Sequence, residues 1–197
     1  MNTPNKLTLA RMIATPIFMA VMLIDFPYHY LVSLVLFIAA SLTDMIDGKM
    51  ARKYNMVTDF GKFMDPLADK MLTTAAYLGF MFVYGKGALS WHIVVITFIV
   101  LFREFAVSSI RLVAVTAGGK VVAANMWGKC KTVSQMAGII FALAVYAFNE
   151  IIAISGGSFA LHLDTVIIAL FWLSAVLCVI SGAIYIWGGR QYIANAK

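Results

Sequence analysis

Charged side chains are scarce in this chain of 197 residues, where they make up 12% of the sequence against 62% for hydrophobic residues. Soluble domains carry about 25% charged residues, so the composition excludes an ordinary soluble fold and predicts a polytopic membrane protein. The residues before the first apolar stretch are polar, and no small-residue cleavage site follows that stretch. We therefore expect no signal peptide and a first apolar segment that stays in the membrane.

Cysteine, histidine and nucleotide-binding glycine motifs are also rare or missing. The two cysteines, Cys130 and Cys178, lie in a basic and an apolar segment, and a disulfide between them is not expected. The three histidines fall near predicted loops, which disfavours a histidine nucleophile, and neither G-x-x-x-x-G-K-[ST] nor G-x-G-x-x-G occurs. The net charge of +6 suits anionic lipid, and we expect no nucleic-acid partner.

Six apolar stretches are long enough to cross about 30 Å of hydrocarbon. Lysine and arginine concentrate in alternate connections, whereas the other connections contain only Lys86, which by the positive-inside rule places both termini in the cytoplasm. No repeat or linker interrupts the chain, so we predict an all-α fold of one domain, residues 1–197, with six transmembrane helices. The predicted spans are about 7–26, 30–50, 62–84, 91–115, 131–154 and 164–188.

Five of the nine acidic residues lie within a short window, positions 44–69, at the seam between two apolar segments, and four of them fall into two regularly spaced pairs. Asp44 and Asp47 are spaced i, i+3, and Asp65 and Asp69 are spaced i, i+4, so each pair shares one face of a helix. A charged side chain at the bilayer centre costs about 2.5–3.5 kcal/mol, so these acids require a water-accessible edge and a neutralising cation. Hard cations such as Mg²⁺ or Mn²⁺ prefer oxygen ligands, and the pattern predicts a pair of them.

The window reads D-x-x-D-G-x-x-A-R-x(8)-G-x-x-x-D-x-x-x-D, without a gap or substitution. At all eight fixed positions it resembles the signature of the CDP-alcohol phosphatidyltransferases. The resemblance implies a homodimeric enzyme of the inner (cytoplasmic) membrane, with its active site facing the cytoplasm and two Mg²⁺ or Mn²⁺ ions. It also implies that Asp69 is the general base as well as a ligand, and that the metal ligands are Asp44, Asp47, Asp65 and Asp69.

The same resemblance implies a CDP-diacylglycerol site beside the acids. Arg52 has a planar cationic fork that suits phosphate, and the glycines leave room for a ligand near the backbone. The N-x-x-T-x-x-R opening resembles that of the phosphatidylglycerophosphate synthases, although helix capping or contact with lipid headgroups also explains Asn5 and Thr8. A turn-stabilising role equally explains Thr58. The implied site comprises Asn5, Thr8, Gly48, Ala51, Arg52, Thr58 and Gly61.

Cations at the end of the fourth span and the start of the fifth suggest a second site. The segments "FREFAVSSIR" and "GKCKTVSQ" resemble the acceptor half of phosphatidylglycerophosphate synthases, which accept a phosphorylated polyol. Two structural alternatives stay open: Arg103 can form an ion pair with Glu104 or another helix that fixes packing, and the positive-inside rule alone places lysines here. The acceptor-phosphate residues implied by the resemblance are Arg103, Arg111, Lys129 and Lys131.

The expected function is therefore transfer of the phosphatidyl group from CDP-diacylglycerol to sn-glycerol 3-phosphate, which gives phosphatidylglycerophosphate and CMP. Inositol phosphate, phosphatidylglycerol and serine remain alternative acceptors, and the basic cluster argues against serine because serine has no phosphate. A cation transporter is the alternative from another class, but Arg52 would repel a permeating cation. A catalytically inactive scaffold is disfavoured, since it would have no chemical reason to keep repelling carboxylates together.

Overall fold

The computed structural model describes residues 2–53, 59–85, 87–116 and 126–194, and the regular secondary structure in these ranges is entirely α-helical. The all-α class predicted from hydropathy is confirmed. The six helices are α1 (Thr3–Leu23), α2 (His29–Lys53), α3 (Asp59–Tyr84), α4 (Ser90–Thr116), α5 (Met126–Ile154) and α6 (Asp164–Ala194).

Four helices in the described ranges are long and apolar enough to cross a membrane, which makes the chain a multi-pass membrane protein. α2 contains a shorter apolar stretch, His29–Asp44. That α2 and α3 also span the bilayer, and that both termini are cytoplasmic, stay predictions. The four candidate membrane spans are Asn5–Leu23, Ser90–Ile110, Met126–Ile154 and Asp164–Gly188.

Local chemistry determines where α1 begins and ends. The side chain of Asn2 accepts a hydrogen bond from the backbone N–H of Asn5 at 3.2 Å, and a proline occupies the first turn, where a missing N–H costs little. The helix ends where Ile24 adopts an extended conformation. Tyr28 then takes a positive φ of 67°, which redirects the chain into α2.

The residues form two compact units. The first consists of Met1–Gly85 and Ile139–Leu163, and so contains α1, α2, α3 and the second part of α5. The second consists of Lys86–Gly138 and Asp164–Lys197, and so contains α4, the first part of α5 and α6. A division into two compact units does not decide whether the chain is one domain, so the single domain stays a prediction.

In the first unit, α1 packs against both α2 and α3. The rings of Phe18 and Phe37 lie 5.7 Å apart between α1 and α2, and both side chains are buried. One turn further along α1, a Cβ added to Gly79 of α3 would lie 2.5 Å from the sulfur of Met22. Glycine at position 79 therefore permits the close approach of α3 to α1.

The N-terminus of α2 is held by an acidic side chain from α5. The backbone N–H groups of His29 and Tyr30 donate to the two carboxylate oxygens of Glu150 at 3.0 and 3.1 Å. A carboxylate is favourable here because the first N–H groups of a helix have no partners within the helix and carry a partial positive charge. The neighbouring Asn149 exchanges two hydrogen bonds with the backbone of Leu161, which ties down the segment after α5.

In the second unit, α4 and α6 run in the same direction. Trp172 donates to His92 at 3.1 Å, and further along both helices Arg103 donates to Ser181 at 2.9 Å. α5 runs against them, because its early residue Lys131 meets α4 beside Arg103, whereas the later Gly138 contacts Phe171 on α6. The polar contacts of Arg103, Ser181 and Lys131 therefore lie together at one end of this unit.

Candidate active site

The acidic window lies on two neighbouring helices of the first unit. Asp44 and Asp47 are one turn apart on α2, and Asp65 and Asp69 are one turn apart on α3. The two helices contact each other. The side chains of Asp47, Asp65 and Asp69 lie outside the described part of the structure, so convergence of the four carboxylates stays a prediction.

Asp44 is the member of this set whose side chain is described, and it forms an ion pair with Arg11. The Nη1 atom of Arg11 on α1 donates to Oδ1 of Asp44 on α2. The arginine side chain is 1% exposed and the aspartate side chain is 36% exposed. A buried guanidinium needs an anionic partner, so α1 supplies a cation that holds one oxygen of the first acidic residue in the window.

Arg11 belongs to a polar face along the otherwise apolar α1. Asn5, Thr8, Arg11 and Thr15 are all buried, and their spacing of three or four residues places them on one side of the helix. Thr15 donates to the Arg11 carbonyl at 2.9 Å. The sequence pattern placed Asn5 and Thr8 near the nucleotide-lipid site but assigned no role to Arg11, although the N-x-x-T-x-x-R spacing already put all three on one face.

The remaining residues of the predicted CDP-diacylglycerol site are placed by backbone alone. Gly48, Ala51 and Arg52 lie in the last part of α2, and Gly61 lies near the start of α3. Thr58 falls outside the described residues. The roles of these residues stay predictions.

The second unit contains a buried polar cluster centred on Glu104. Oε1 of Glu104 accepts hydrogen bonds from Arg103 Nη1 at 3.1 Å and from Lys131 Nζ. Arg103 also donates from Nη2 to Ser181 on α6 at 2.9 Å. These four residues, named here the Glu104 cluster, join α4, α5 and α6. The ion pair of Arg103 with Glu104 that the sequence suggested as a packing contact is present, and the ion pair between helices is formed by Lys131 with Glu104.

The Glu104 cluster keeps an excess of positive charge. Its two cationic side chains share one carboxylate, and the Nε atom of Arg103 is buried without a hydrogen-bond partner in the described residues. A Cβ at Gly182 would lie 2.9 Å from Cγ of Arg103, so glycine at that position makes room for the arginine stem. An anion with several oxygens would satisfy both the surplus charge and the buried donor.

The other two predicted acceptor residues are Lys129 and Arg111, and neither is shown in contact with Arg103 or Lys131 among the described side chains. Lys129 is exposed, whereas Lys131, two residues later on α5, is buried in the Glu104 cluster. Arg111 lies on α4 about two turns after Arg103, and its side chain is outside the described part. The structure thus brings Arg103 and Lys131 together, and a shared site with Lys129 and Arg111 stays a prediction.

The chemistry of the acidic window fits a divalent metal. Carboxylate oxygens are the ligands that Mg²⁺ and Mn²⁺ prefer, and Asp44 is partly exposed although α1 and α2 pack beside it. Within the described side chains, no group of three or more histidine, cysteine or acidic residues lies together. Metal binding therefore depends on Asp47, Asp65 and Asp69 joining Asp44, and it stays a prediction.

Comparison with known proteins identifies the class. Residues 1–187 match the family model described as CDP-alcohol phosphatidyltransferase. The chain belongs to the CDP-alcohol phosphatidyltransferase family, in agreement with the eight-position pattern between Asp44 and Asp69. It is an enzyme of that family.

Individual relatives carry a more specific name, CDP-diacylglycerol–glycerol-3-phosphate 3-phosphatidyltransferase. The chain is similar to the enzyme of that name from Bacillus subtilis (strain 168), with 40% identity over 193 residues that cover 92% of this chain and 91% of the relative. The Rickettsia bellii (strain RML369-C) enzyme is 34% identical over 97% of both chains. The Salmonella typhimurium (strain LT2) enzyme is 32% identical over 100% of this chain and 95% of the relative.

Proposed function

We propose that the protein transfers the phosphatidyl group from CDP-diacylglycerol to sn-glycerol 3-phosphate, giving phosphatidylglycerophosphate and CMP. The observation that carries this proposal is the identity of 32–40%, over nearly the whole chain, to enzymes named for the reaction. The unbroken acidic pattern and the cationic Glu104 cluster supply residues suited to the two substrates.

The reaction requires attack of a hydroxyl oxygen on the phosphorus that bears the diacylglycerol. The bond from that phosphorus to the oxygen bridging it to CMP breaks, and CMP leaves with the electron pair. We assign the general base to Asp69, whose carboxylate would take the hydroxyl proton. A positioned base of this kind contributes about 10²–10⁴-fold to the rate.

The family uses divalent metal ions. We propose that Asp44, Asp47, Asp65 and Asp69 hold two Mg²⁺ or Mn²⁺ ions. When bound, such ions stabilise negative charge on the diphosphate and on the leaving CMP. Arg11 would orient Asp44 by holding its Oδ1 atom, since hydrogen bonds to a ligating carboxylate fix its direction.

The CDP-diacylglycerol site is proposed to lie beside the acids in the first unit. Support comes from the polar face of α1, where Asn5 and Thr8 are buried on the same side as Arg11. Small residues on α2 and α3 would leave space for the cytidine and the phosphates, and Arg52 would bind phosphate charge. The proposed residues are Asn5, Thr8, Gly48, Ala51, Arg52, Thr58 and Gly61.

The acceptor phosphate is proposed to bind at the Glu104 cluster. Glycerol 3-phosphate carries between one and two negative charges near pH 7, and Arg103 and Lys131 offer one charge beyond what Glu104 neutralises. Arg111 and Lys129 would add to the attraction from α4 and α5. The packing role of the ion pairs and the binding role are compatible, because a carboxylate that holds both cations also keeps them in place for an anion.

The membrane arrangement completes the proposal. We infer that all six helices span the inner membrane with both termini in the cytoplasm, because lysine and arginine concentrate in the connections on one side. The soluble substrate and CMP would then enter and leave on the cytoplasmic side. The resemblance to the family further supports a homodimer.

An acceptor panel tests the function. Purified protein in detergent is given CDP-diacylglycerol, Mg²⁺ or Mn²⁺, and one of four acceptors: glycerol 3-phosphate, inositol phosphate, phosphatidylglycerol or serine. We expect CMP release with glycerol 3-phosphate well above the others. Release with another acceptor and none with glycerol 3-phosphate would overturn the assignment. Metal-dependent ion flux in reconstituted vesicles without CMP release would favour the transporter alternative.

A further inference from the structure

We propose that Gln135 is a specificity-determining residue of the acceptor site, whose side-chain amide donates a hydrogen bond to the non-reacting hydroxyl of the phosphorylated polyol. The inference rests on the proposed function and extends it to a residue outside the set of cations. It identifies how the site distinguishes a polyol phosphate from other small phosphates.

The first support is the burial of an unused donor. Gln135 is 2% exposed and is among the largest fully buried side chains of the described residues. Its Nε2 atom has no hydrogen-bond partner there. A buried amide without a partner costs free energy that an apolar side chain of the same size would avoid, so its presence in a membrane helix points to an absent ligand.

The second support is the position of Gln135 relative to the Glu104 cluster. Gln135 lies one helical turn after Lys131 on the same face of α5, about 6 Å further along the axis. On that face, Lys131 reaches Glu104 on α4, and Gly138 contacts Phe171 on α6. Because it is also buried, the Gln135 side chain lies in the interior of the second unit, one turn from Lys131.

The third support is the difference in chemistry between the cations of the Glu104 cluster and the neutral amide of Gln135. Arg103 and Lys131 provide charge, which attracts any small phosphate and does not by itself select a polyol. A neutral amide suits a neutral hydroxyl. In the proposed reaction the primary hydroxyl of glycerol 3-phosphate attacks, so its secondary hydroxyl is free to bind Gln135.

Two acceptors and two variants test the inference. 3-Hydroxypropyl phosphate keeps the phosphate and the attacking hydroxyl but lacks the secondary hydroxyl. Gln135→Met keeps the volume of the side chain and removes the donor. Ser134→Ala is the matched control on α5, since the Ser134 hydroxyl bonds the Lys131 carbonyl within its own helix.

For the unaltered enzyme, we expect kcat/KM with glycerol 3-phosphate to exceed that with 3-hydroxypropyl phosphate about 10–100-fold. Gln135→Met should lower kcat/KM for glycerol 3-phosphate by a similar factor and change that for 3-hydroxypropyl phosphate less than about threefold. The KM for CDP-diacylglycerol should be unaffected. Ser134→Ala should retain the preference of the unaltered enzyme.

Thermal unfolding separates binding from packing. If the Gln135 amide has no partner until the acceptor binds, the Gln135→Met variant should unfold at the same or a higher temperature without substrate. The reason is that the substitution removes a buried unpaired donor. Equal loss with both acceptors, or no preference in the unaltered enzyme, would overturn the inference while the proposed function stands. No CMP release from the unaltered enzyme with glycerol 3-phosphate would instead overturn the proposed function and the inference together.

Discussion

Arg11 on α1 and Asp44 on α2 form an ion pair in which the arginine is buried and the aspartate is partly exposed. The pair links the polar face of α1 to the first residue of the acidic pattern. It therefore connects helix packing in the first unit with the orientation of a proposed metal ligand.

Removing one partner should cost more than removing both. Asp44→Ala leaves the Arg11 guanidinium without this carboxylate in a buried position, whereas the double variant Arg11→Met with Asp44→Ala removes both charges. We expect a coupling energy of about 1–3 kcal/mol from a double-mutant cycle of unfolding in detergent. Additive effects of the two substitutions would show that the contact contributes nothing to stability.

Loss of the proposed general base should abolish turnover while leaving substrate binding. We expect Asp69→Asn to lower kcat at least about 10²-fold, since amide nitrogen and oxygen cannot take the hydroxyl proton as a carboxylate does. Binding of CDP-diacylglycerol, measured separately, should change much less. Asp59→Asn is the matched control, because Asp59 lies in the same segment but outside the eight-position pattern. A variant at Asp69 with normal kcat would exclude it as the base.

Metal removal should stop the reaction reversibly. The four carboxylates proposed as metal ligands would repel one another without cations, so we expect chelation to abolish CMP release and Mg²⁺ or Mn²⁺ to restore it. Asp47→Asn removes one proposed ligand and should raise the Mn²⁺ concentration needed for half-maximal activity by about 10-fold or more. Binding of Mn²⁺ followed by electron paramagnetic resonance provides a readout that does not depend on turnover. Activity that persists in chelator would contradict the proposed metal site.

Hydropathy predicted the number of helices and most of their extent, because apolar length is what a membrane span requires. The observed C-terminal ends of two helices lie beyond the predicted ones. α2 was expected to end near residue 50 and continues to Lys53, and α6 was expected to end near 188 and continues to Ala194. Backbone hydrogen bonding extends a helix into polar residues beyond the bilayer, and hydropathy does not register those turns.

Spacing predicted which helices carry the acidic residues but not which side chains meet across helices. Asp44 and Asp47 could be assigned to one face from their i, i+3 separation alone. The pairing of Arg11 with Asp44 joins residues 33 positions apart, and that of Lys131 with Glu104 joins residues 27 positions apart. Such contacts depend on how helices pack, and a single sequence without relatives contains no local signal for them.

The contact of Glu150 with the start of α2 should contribute to stability and not to catalysis. Glu150→Ala leaves the backbone N–H of Tyr30 without its acceptor and leaves that of His29 with the Phe26 carbonyl alone, so we expect the free energy of unfolding to fall by about 1–3 kcal/mol. Asp25→Ala is the matched control, since Asp25 is an exposed acid in the connection that leads to α2. Chemical denaturation in detergent measures both. Equal stability of the two variants would show that the cap has no net effect.

Lys131 of the Glu104 cluster should contribute to binding of the acceptor. Lys131→Met removes a cation that the proposed phosphate would contact, and a hydrogen bond to a charged group contributes about 1.5–3 kcal/mol. We therefore expect the KM for glycerol 3-phosphate to rise about 10–100-fold, while the KM for CDP-diacylglycerol stays within about threefold. Lys129→Met should have a smaller effect, because Lys129 is exposed.

Arg190→Met tests whether net charge alone explains such a result. Arg190 is an exposed cation stacked on Trp187 at 4.5 Å, so its substitution removes the same charge elsewhere on the second unit. We expect Arg190→Met to leave the KM for glycerol 3-phosphate unchanged, whereas Lys131→Met raises it. This result would show that the acceptor phosphate binds at the Glu104 cluster. If instead both variants raise the acceptor KM equally, the lysine acts through the overall field, and the phosphate does not bind beside it.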